Sequence, residues 1–239
     1  MPAIILAAFI SLLVGACAEA ESPPGTIEPV RSAAAAQPVL NEERIFGVIP
    51  NYQTVSDPSL PVRPLTARQK WVLLERETLD PFNLASAALG SGFSQMGDET
   101  PKYGQGGLAL GKRFGAALAD AGTQNLFSAG VLACLLHQDP RYFRKGPSSS
   151  FPARVAYSAS RIFVARQDSG RRAFNTSGIG GMALGIAASN IYYPPGSATS
   201  SVMTGRVLTS LLGGVLGNLM SEFWPDLQPL EKKLLHWKR

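Results

Sequence analysis

A stripe of small residues in residues 205–221 places the strongest constraint on how this chain can fold. If the segment is a helix, a very small side chain stands at every fourth position: Gly205, Thr209, Gly213, Gly217 and Ser221. Residues four apart share one helix face, so the stripe forms a continuous groove. Glycine inside a helix costs about 1 kcal/mol relative to alanine. A second helix packed closely against the groove would offset that cost, so the stripe predicts such packing.

Similar stripes recur along the chain. One contains Gly107, Gly111, Gly115, Ala119 and Thr123, another Gly181, Gly185 and Ser189, and a weaker one Ser86, Gly90 and Ser94. Strand signals are weak, with a hairpin as the alternative for residues 161–174. The sequence therefore predicts a mainly α, membrane-associated fold, a helical bundle packed through glycine-zipper-like stripes. The predicted helix-packing residues are Gly111, Gly115, Gly181, Gly185, Gly205, Gly213 and Gly217.

Proline, glycine and capping residues divide the chain into four parts. We predict a signal peptide in residues 1–20, a Pro/Ala-rich linker in 21–65, a helical domain in 66–228 and a basic tail in 229–239. Within the linker, the apolar cluster of residues 44–52 is expected to dock onto the helical domain. Helices are predicted over residues 66–80, 106–137 with a break near Gly122, 152–166, 175–193 and 199–224, and Pro81 can open another.

The first twenty residues carry the signature of export. An apolar run over residues 3–14 is followed by small residues, as in a signal peptide. The sequence VGAC, ending at Cys17, fits a bacterial lipobox and predicts lipidation of Cys17. The sequence AEA that follows fits ordinary signal cleavage, and an uncleaved N-terminal anchor is a third alternative. The protein is therefore expected in the cell envelope, lipid-anchored or peripheral on the periplasmic side.

Charge is scarce and unevenly distributed. Charged residues make up 16% of the chain, against about 25% in typical soluble domains. Residues 139–172 contain eight basic and two acidic residues, with aromatic residues between them. This block predicts binding to a membrane or an anionic envelope polymer, whereas export removes nucleic acid as a partner. The alternative is a solvated face with internal ion pairs. The predicted binding residues are Arg141, Arg144, Lys145, Arg154, Arg161, Arg171 and Arg172.

The sequence offers little support for catalysis. Cys134, His137 and Asp139 could act as nucleophile, base and orienting group, since the first two lie three residues apart on one helical face. However, Cys134 lies in an apolar run, where a small buried hydrophobe is the simpler interpretation. His137 and Asp139 supply two metal ligands where zinc needs three or four. We therefore predict a non-catalytic protein without metal or cofactor.

Three uncharged runs raise the alternative of a multi-span channel or transporter-like protein. Residues 121–138, 176–193 and 207–221 each end near paired aromatic residues, as interfacial belts do. However, a span needs about 20 mostly apolar residues, and these runs are short and diluted by polar residues and glycine. A compact helical bundle tethered to a membrane or lying on it is favoured. Homo-oligomerisation through the small-residue faces remains an alternative.

Three segments carry a resemblance to known proteins. HQDPRYFR in residues 137–144, RIFGVIPNY in 44–52 and SEFWPD in 221–226 resemble those of a family of exported acidobacterial proteins. The resemblance covers about residues 44–226. It implies export, and it implies no activity, cofactor or catalytic residue.

Overall fold

The computed structural model describes residue 40 and residues 42–57, 62–197 and 199–237. The predicted signal peptide with Cys17 and most of the predicted linker lie outside the described residues. The described part is mainly helical with small sheets, which confirms the prediction of a mainly α protein.

The elements follow one another in this order. The strands are β1 (Arg44–Ile45), β2 (Ile49–Pro50), β3 (Thr54–Val55), β4 (Gln138–Asp139), β5 (Tyr142–Phe143), β6 (Val164–Gln167) and β7 (Arg172–Phe174). The helices are α1 (Ala67–Thr78), α2 (Pro81–Met96), α3 (Gly107–Asn125), α4 (Ala133–Leu135), α5 (Phe151–Ser160), α6 (Thr176–Ser189) and α7 (Ser200–Trp237). A π-helix, Leu126–Leu132, connects α3 to α4.

The segment before the first helix is part of the folded unit. Strands β1 and β2 form an antiparallel hairpin, and β3 pairs in parallel with β5. Arg44 forms an ion pair with Asp80 at 2.5 Å, and the ring of Phe46 contacts that of Trp224. Residues 42–57 therefore dock onto the helices, and the structured part begins earlier than the predicted boundary at residue 66.

The first two helices begin at the residues that local sequence rules favour. Thr66 accepts a hydrogen bond from the backbone nitrogen of Gln69, whose side chain in turn accepts one from the backbone of Thr66. This reciprocal pair is the predicted capping box. Asp80 caps α2 by accepting a 2.9 Å bond from the nitrogen of Phe82, and Pro81 occupies the first helical position.

Helix α6 lies at the centre of the fold, packed against α3 and the π-helix. A Cβ atom placed on Gly181 would lie 2.4 Å from the backbone nitrogen of Ser128, and one placed on Gly185 would lie 2.4 Å from Cγ of Gln124. Both distances are far below van der Waals contact, so only glycine permits this approach of the backbones. The predicted break near Gly122 does not occur, because the chain remains helical through the π-helix.

Three predicted helix ends are wrong. The helix predicted to reach residue 166 ends at Ser160, and the alternative hairpin forms instead, with β6 between β4 and β7. Helix α6 ends at Ser189, four residues before the predicted end. Helix α7 continues through Pro225. The proline removes one backbone hydrogen-bond donor from the helix. The residues before and after it are held by the fold, since Trp224 is buried and Asp226 is bound by Arg154.

Helix α7 has one packed and one exposed face. On the packed face, a Cβ atom on Gly214 would lie 2.6 Å from the side chain of Ile162. The opposite face bears an apolar ridge, in which Leu208, Leu212 and Leu216 are 55%, 65% and 61% exposed and Met220 continues the row. Below we call Leu208, Leu212, Leu216 and Met220 the α7 ridge.

No described residue covers the small-residue stripe that runs beside the α7 ridge. Within the described residues, no atom lies within 4 Å of a Cβ placed on Gly205, Gly213 or Gly217, and the same holds for Gly111 and Gly115 in α3. Packing of a second helix against these five glycines is therefore not observed within the described residues, and it stays a prediction.

Among the described residues, one helical segment is long and apolar enough to cross a membrane. It is Ser200–Pro229, and its most apolar window has a mean hydropathy of 1.2 with none of its residues buried. The other two uncharged runs of the sequence, residues 121–138 and 176–193, pack against each other as the π-helix and α6.

Candidate functional site

Folding divides the basic block into two groups of arginines. The first group, Arg141, Arg144 and Arg154, is buried and paired with carboxylates. Arg141 binds Asp139 at 2.6 Å, Arg144 binds Asp226, and Arg154 binds both Glu222 at 2.8 Å and Asp226 at 2.6 Å. The alternative of internal ion pairs therefore holds for these three arginines, and contact of any of them with an anionic surface stays a prediction.

The carboxylate of Glu222 is the centre of this buried network. It accepts hydrogen bonds from the Tyr142 hydroxyl at 2.8 Å, from Nε of Arg154 at 2.8 Å, and from the backbone nitrogens of Lys145 and Gly146 at 2.8 and 3.0 Å. Burial raises the pKa of Tyr142, and so do the hydrogen bond to Glu222 and the negative charge of Glu222. The hydrogen bond with Ser158 lowers the pKa, but the net shift is upward. Tyr142 therefore stays a donor. With both oxygens occupied, Glu222 acts as a structural anchor.

The second group, Arg161, Arg166 and Arg172, lines a pocket of ≈ 520 Å³ together with Arg141 and Arg144 of the first group. The pocket lies between β5, α5, the β6–β7 hairpin, the start of α6 and the packed face of α7. Five arginines line it, whereas Asp139 is the only carboxylate among its described lining residues. Because Asp139 is already paired with Arg141, the pocket carries an excess of positive charge. The five arginines are Arg141, Arg144, Arg161, Arg166 and Arg172.

Aromatic rings, rather than carboxylates, position two of these arginines. The guanidinium carbon of Arg161 lies 4.4 Å from the ring centroid of Tyr157, and that of Arg166 lies 4.6 Å from the ring centroid of Phe143. The Tyr157 hydroxyl donates a 2.8 Å bond to the carbonyl of Phe143, which fixes the two rings relative to each other. An aromatic ring attracts a cation through the quadrupole of the ring but carries no net charge, so the positive charge of the guanidinium is not neutralised.

The hairpin brings a third arginine to the same place. Arg166 on β6 and Arg172 on β7 are register partners, so their side chains leave the same face of the hairpin, and both line the pocket. Within the part of the chain that the structure describes, no carboxylate forms an ion pair with Arg161, Arg166 or Arg172. Directly opposed like charges are unfavourable in a sheet, so this pair favours a counter-ion.

The remaining predicted binding residues lie around this pocket. Arg161 and Arg172 line it, and Lys145 is half-buried with its ammonium 5.4 Å from the Tyr157 ring centroid. Arg171 is exposed in the hairpin and does not line the pocket. Sequence reasoning left Arg166 out of the predicted site. The alternative hairpin over residues 161–174 contains the signal that could have included it, because pairing two strands there brings Arg166 opposite Arg172.

The structure does not assemble the residues of the catalytic alternative. Cys134 is 5% exposed in the helical core, whereas His137 is exposed and holds a left-handed backbone with φ of 50°. The carboxylate of Asp139 is bound by the backbone nitrogen, Nε and Nη2 of Arg141. It is therefore not available to orient His137. Across the residues that the structure describes, no three His, Cys, Asp or Glu side chains cluster as metal ligands.

Comparison of the chain with protein-family models, with curated proteins and with solved structures finds no match. The α7 ridge and the arginine pocket are therefore the two features of the molecule that indicate a function.

Proposed function

We propose that the protein is a non-catalytic, exported component of the cell envelope that associates with a membrane through α7 and binds anionic lipid or envelope polymer with its basic surface. The observation that carries this proposal is the exposed α7 ridge. Four large apolar side chains in one row, beside a stripe of small residues, form a contiguous apolar face of a kind that marks interaction sites.

The attachment of α7 to the rest of the fold favours a helix that lies along the membrane. Near its start, Nη2 of Arg206 lies 3.0 Å from Oδ1 of Asp120, and further along the helix Glu222 is bound by Arg154. These two anchors are about 24 Å apart along the helix axis, at about 1.5 Å per residue. Both ends of this stretch are therefore held against the folded part while the α7 ridge faces away from it. An interfacial helix has this arrangement.

The N-terminal sequence supports export and a second attachment point. The segment ending at Cys17 fits a lipobox, and the two acyl chains of a diacylglycerol on Cys17 would anchor the protein beside the contact made by α7. Mass spectrometry of the mature protein tests this part: diacylglycerol on an N-terminal Cys17 supports lipidation. A free N-terminus at Glu21 contradicts lipidation and leaves export in place.

Flotation on vesicles tests the membrane contact itself. The mature chain without residues 1–20 is mixed with vesicles, and the bound fraction of the parent is compared with that of Leu212→Gln/Leu216→Gln. Removing a leucine from an apolar environment costs roughly 1.5–3 kcal/mol, so the double variant should bind at least about tenfold more weakly. Leu79→Gln, at a leucine that is 61% exposed at the end of α1, serves as the control. Equal losses in both variants would contradict a role for the α7 ridge.

A second candidate use of the same face is a homo-oligomer. The open groove over Gly205, Gly213 and Gly217 beside a row of leucines suits the close approach of a second α7 helix. Sedimentation velocity of the mature chain distinguishes a monomer from a dimer. Extraction with carbonate and then with detergent tests the multi-span alternative, because a helix lying on the surface is released by carbonate whereas a spanning helix needs detergent.

A further inference from the structure

We infer that the pocket between β5, α5 and the β6–β7 hairpin is a binding site for the phosphate group of a phosphomonoester, either an anionic lipid headgroup or a small soluble compound. The inference deepens the proposed function and rests on it for the lipid source, since it names the chemical group that the basic surface recognises. Its basis is a cavity lined by five arginines, with one carboxylate that is already paired.

The charges of the arginines at the pocket favour a bound anion. Arg166 and Arg172 stand opposite each other on the hairpin, and Arg161 lines the same pocket. Bringing like charges together is unfavourable unless an anion lies between them, and within the described residues these three arginines have no carboxylate partner. An anion in the pocket would supply the missing charge.

Two of the arginines at the pocket are oriented by aromatic rings before any ligand binds. Guanidinium groups lose side-chain entropy when they are fixed for binding, and here two of them are already held by rings, Arg161 by Tyr157 and Arg166 by Phe143. A donor that is positioned in advance loses less entropy on binding its ligand. The planar fork of each arginine matches two oxygens of a phosphate, and several such forks suit a doubly charged group better than a single carboxylate.

The volume of the pocket suits a small organic phosphate. A volume of ≈ 520 Å³ lies within the range of small-molecule sites and exceeds what a bare inorganic ion fills. Asn218 also lines the pocket beside the arginines; its amide nitrogen donates to the carbonyl of Ser158, and its amide oxygen can accept a hydrogen bond from a part of the ligand beyond the phosphate. A phosphomonoester with a short polar body, such as a glycerol phosphate, fits these dimensions and this chemistry.

The test uses the mature chain and a soluble probe. Isothermal titration calorimetry at constant ionic strength compares glycerol 3-phosphate with glycerol, its uncharged counterpart. We expect glycerol 3-phosphate to bind and glycerol not to bind. Arg166→Gln/Arg172→Gln should weaken binding at least tenfold, whereas Arg171→Gln, the neighbouring arginine outside the pocket, should change it less than threefold. Circular dichroism and the Tm verify that each variant is folded.

A second arm distinguishes the two sources of the phosphate. Flotation compares vesicles of phosphatidylcholine alone with vesicles that also contain phosphatidic acid. Preference for phosphatidic acid that is lost in Arg166→Gln/Arg172→Gln assigns the pocket to a lipid headgroup. Binding of glycerol 3-phosphate without any preference among vesicles assigns it to a soluble compound.

Two outcomes would overturn the inference. One is the absence of binding to both glycerol 3-phosphate and phosphatidic acid, and the other is an equal loss in Arg171→Gln and in the double variant, which would indicate general charge attraction. Vesicle binding that depends on the α7 ridge but ignores Arg166 and Arg172 would leave the proposed function intact while the pocket inference fails. Conversely, a phosphate-binding chain with no affinity for membranes would keep the pocket and remove the proposed membrane role.

Discussion

The Nε atom of Arg154 donates a 2.8 Å hydrogen bond to Oε1 of Glu222, a carboxylate that is 0% exposed. This pair joins α5 to α7 across 68 residues of sequence. Its surroundings complete it, because Arg154 also reaches Asp226 and the remaining Glu222 oxygen is bound by Tyr142 and a backbone nitrogen. The pair therefore determines where the second half of α7 lies, and with it the direction in which the α7 ridge points.

Removing one partner of this pair should be strongly destabilising. Glu222→Ala removes one of the two carboxylates that bind Arg154 and the carboxylate that accepts from Tyr142, both at a buried site, and breaking a buried ion pair typically costs about 3–5 kcal/mol. Urea unfolding monitored by circular dichroism measures the change in the free energy of unfolding. We expect a loss in this range for Glu222→Ala and for Arg154→Ala.

Two comparisons make that result specific. Arg171→Ala removes an exposed arginine of the same basic block, and surface substitutions usually change stability by no more than about 0.5 kcal/mol. The double variant Arg154→Ala/Glu222→Ala should lose less than the sum of the two single losses, since each residue acts through the other. Additive losses would contradict direct coupling between them.

Local rules predicted the helix starts and failed where distant residues decide. The capping box at Thr66 and the Asp80–Pro81 start of α2 depend on residues three positions apart or fewer, so the sequence contained them completely. Pro225 was predicted to end the last helix, because a proline usually does. The helix continues since Asp226 is bound by arginines more than seventy residues away in sequence, a contact that no local pattern contains.

The candidate site was predictable in charge and unpredictable in arrangement. The density of arginines in residues 139–172 correctly indicated an unusual concentration of positive charge. Which arginines keep an unpaired charge depends on residues elsewhere in the sequence. Asp226 and Glu222 on α7 form ion pairs with Arg144 and Arg154, whereas Arg166 lines the pocket without an ion pair among the described residues. The small-residue stripes likewise predicted that another helix packs closely against them, but they did not specify which one. Among the described residues, the stripe of α6 has such a partner and the stripe of α7 has none.

The two kinds of glycine stripe should respond differently to alanine. In Gly181→Ala the new methyl group meets the backbone of Ser128 at 2.4 Å, so the helices must separate; overpacking of this kind typically costs about 1–3 kcal/mol. In Gly213→Ala no described atom lies within 4 Å, and better helix propensity should stabilise the protein by up to about 1 kcal/mol. Thermal unfolding of both variants measures the difference. Equal Tm values would contradict the packing at Gly181.

Glu77 should make stability depend on pH in the range below neutrality. Desolvation by burial, with a contribution from the charge of Asp80, raises the pKa of Glu77 from 4.5 to about 7, against the hydrogen bond from Gln53 that lowers it. The folded state therefore holds a proton that the unfolded state has lost between these two values. Stability is highest below pH 4.5 for this group and falls as the pH rises towards 7, by up to about 3 kcal/mol at about 1.4 kcal/mol per pKa unit.

Glu77→Gln mimics the protonated side chain and should remove this slope. The free energy of unfolding is measured between pH 5 and 7.5 for the parent and the variant, and the difference between the two curves isolates this residue from other titrating groups. Glu75→Gln, at an exposed position on the same helix, should leave the slope unchanged. Parallel curves for the parent and Glu77→Gln would contradict the raised pKa.

Cys134 should react slowly with thiol reagents in the native protein. It is 5% exposed and packed in the helical core, and a buried thiol in apolar surroundings is less available as the reactive thiolate. Labelling of the Cys17→Ser chain, in which Cys134 is the remaining cysteine, should be slow in buffer and fast in denaturant. Rapid labelling of the native protein at neutral pH would restore Cys134 as a candidate nucleophile.

Gly213→Leu separates the two proposed uses of the exposed face of α7. The substitution adds a large apolar side chain next to Leu212 and Leu216 and fills the groove of the stripe, at a position where no described atom lies within 4 Å of an added Cβ. If the face lies on a membrane, the added apolar area should strengthen vesicle binding by roughly 1.5–3 kcal/mol, about tenfold or more. If the face receives a second α7 helix, the leucine holds the two backbones apart and weakens association.

Gly111→Leu provides the matched control for that experiment, since Gly111 is also an exposed helical glycine with no described atom within 4 Å of an added Cβ. Flotation and sedimentation velocity are run on the parent, Gly213→Leu and Gly111→Leu. Stronger flotation in Gly213→Leu alone supports membrane contact through α7. Loss of a dimer in Gly213→Leu alone supports helix pairing. The same response in both variants would show that added hydrophobicity at any exposed helix is sufficient, and it would contradict a specific role for this face.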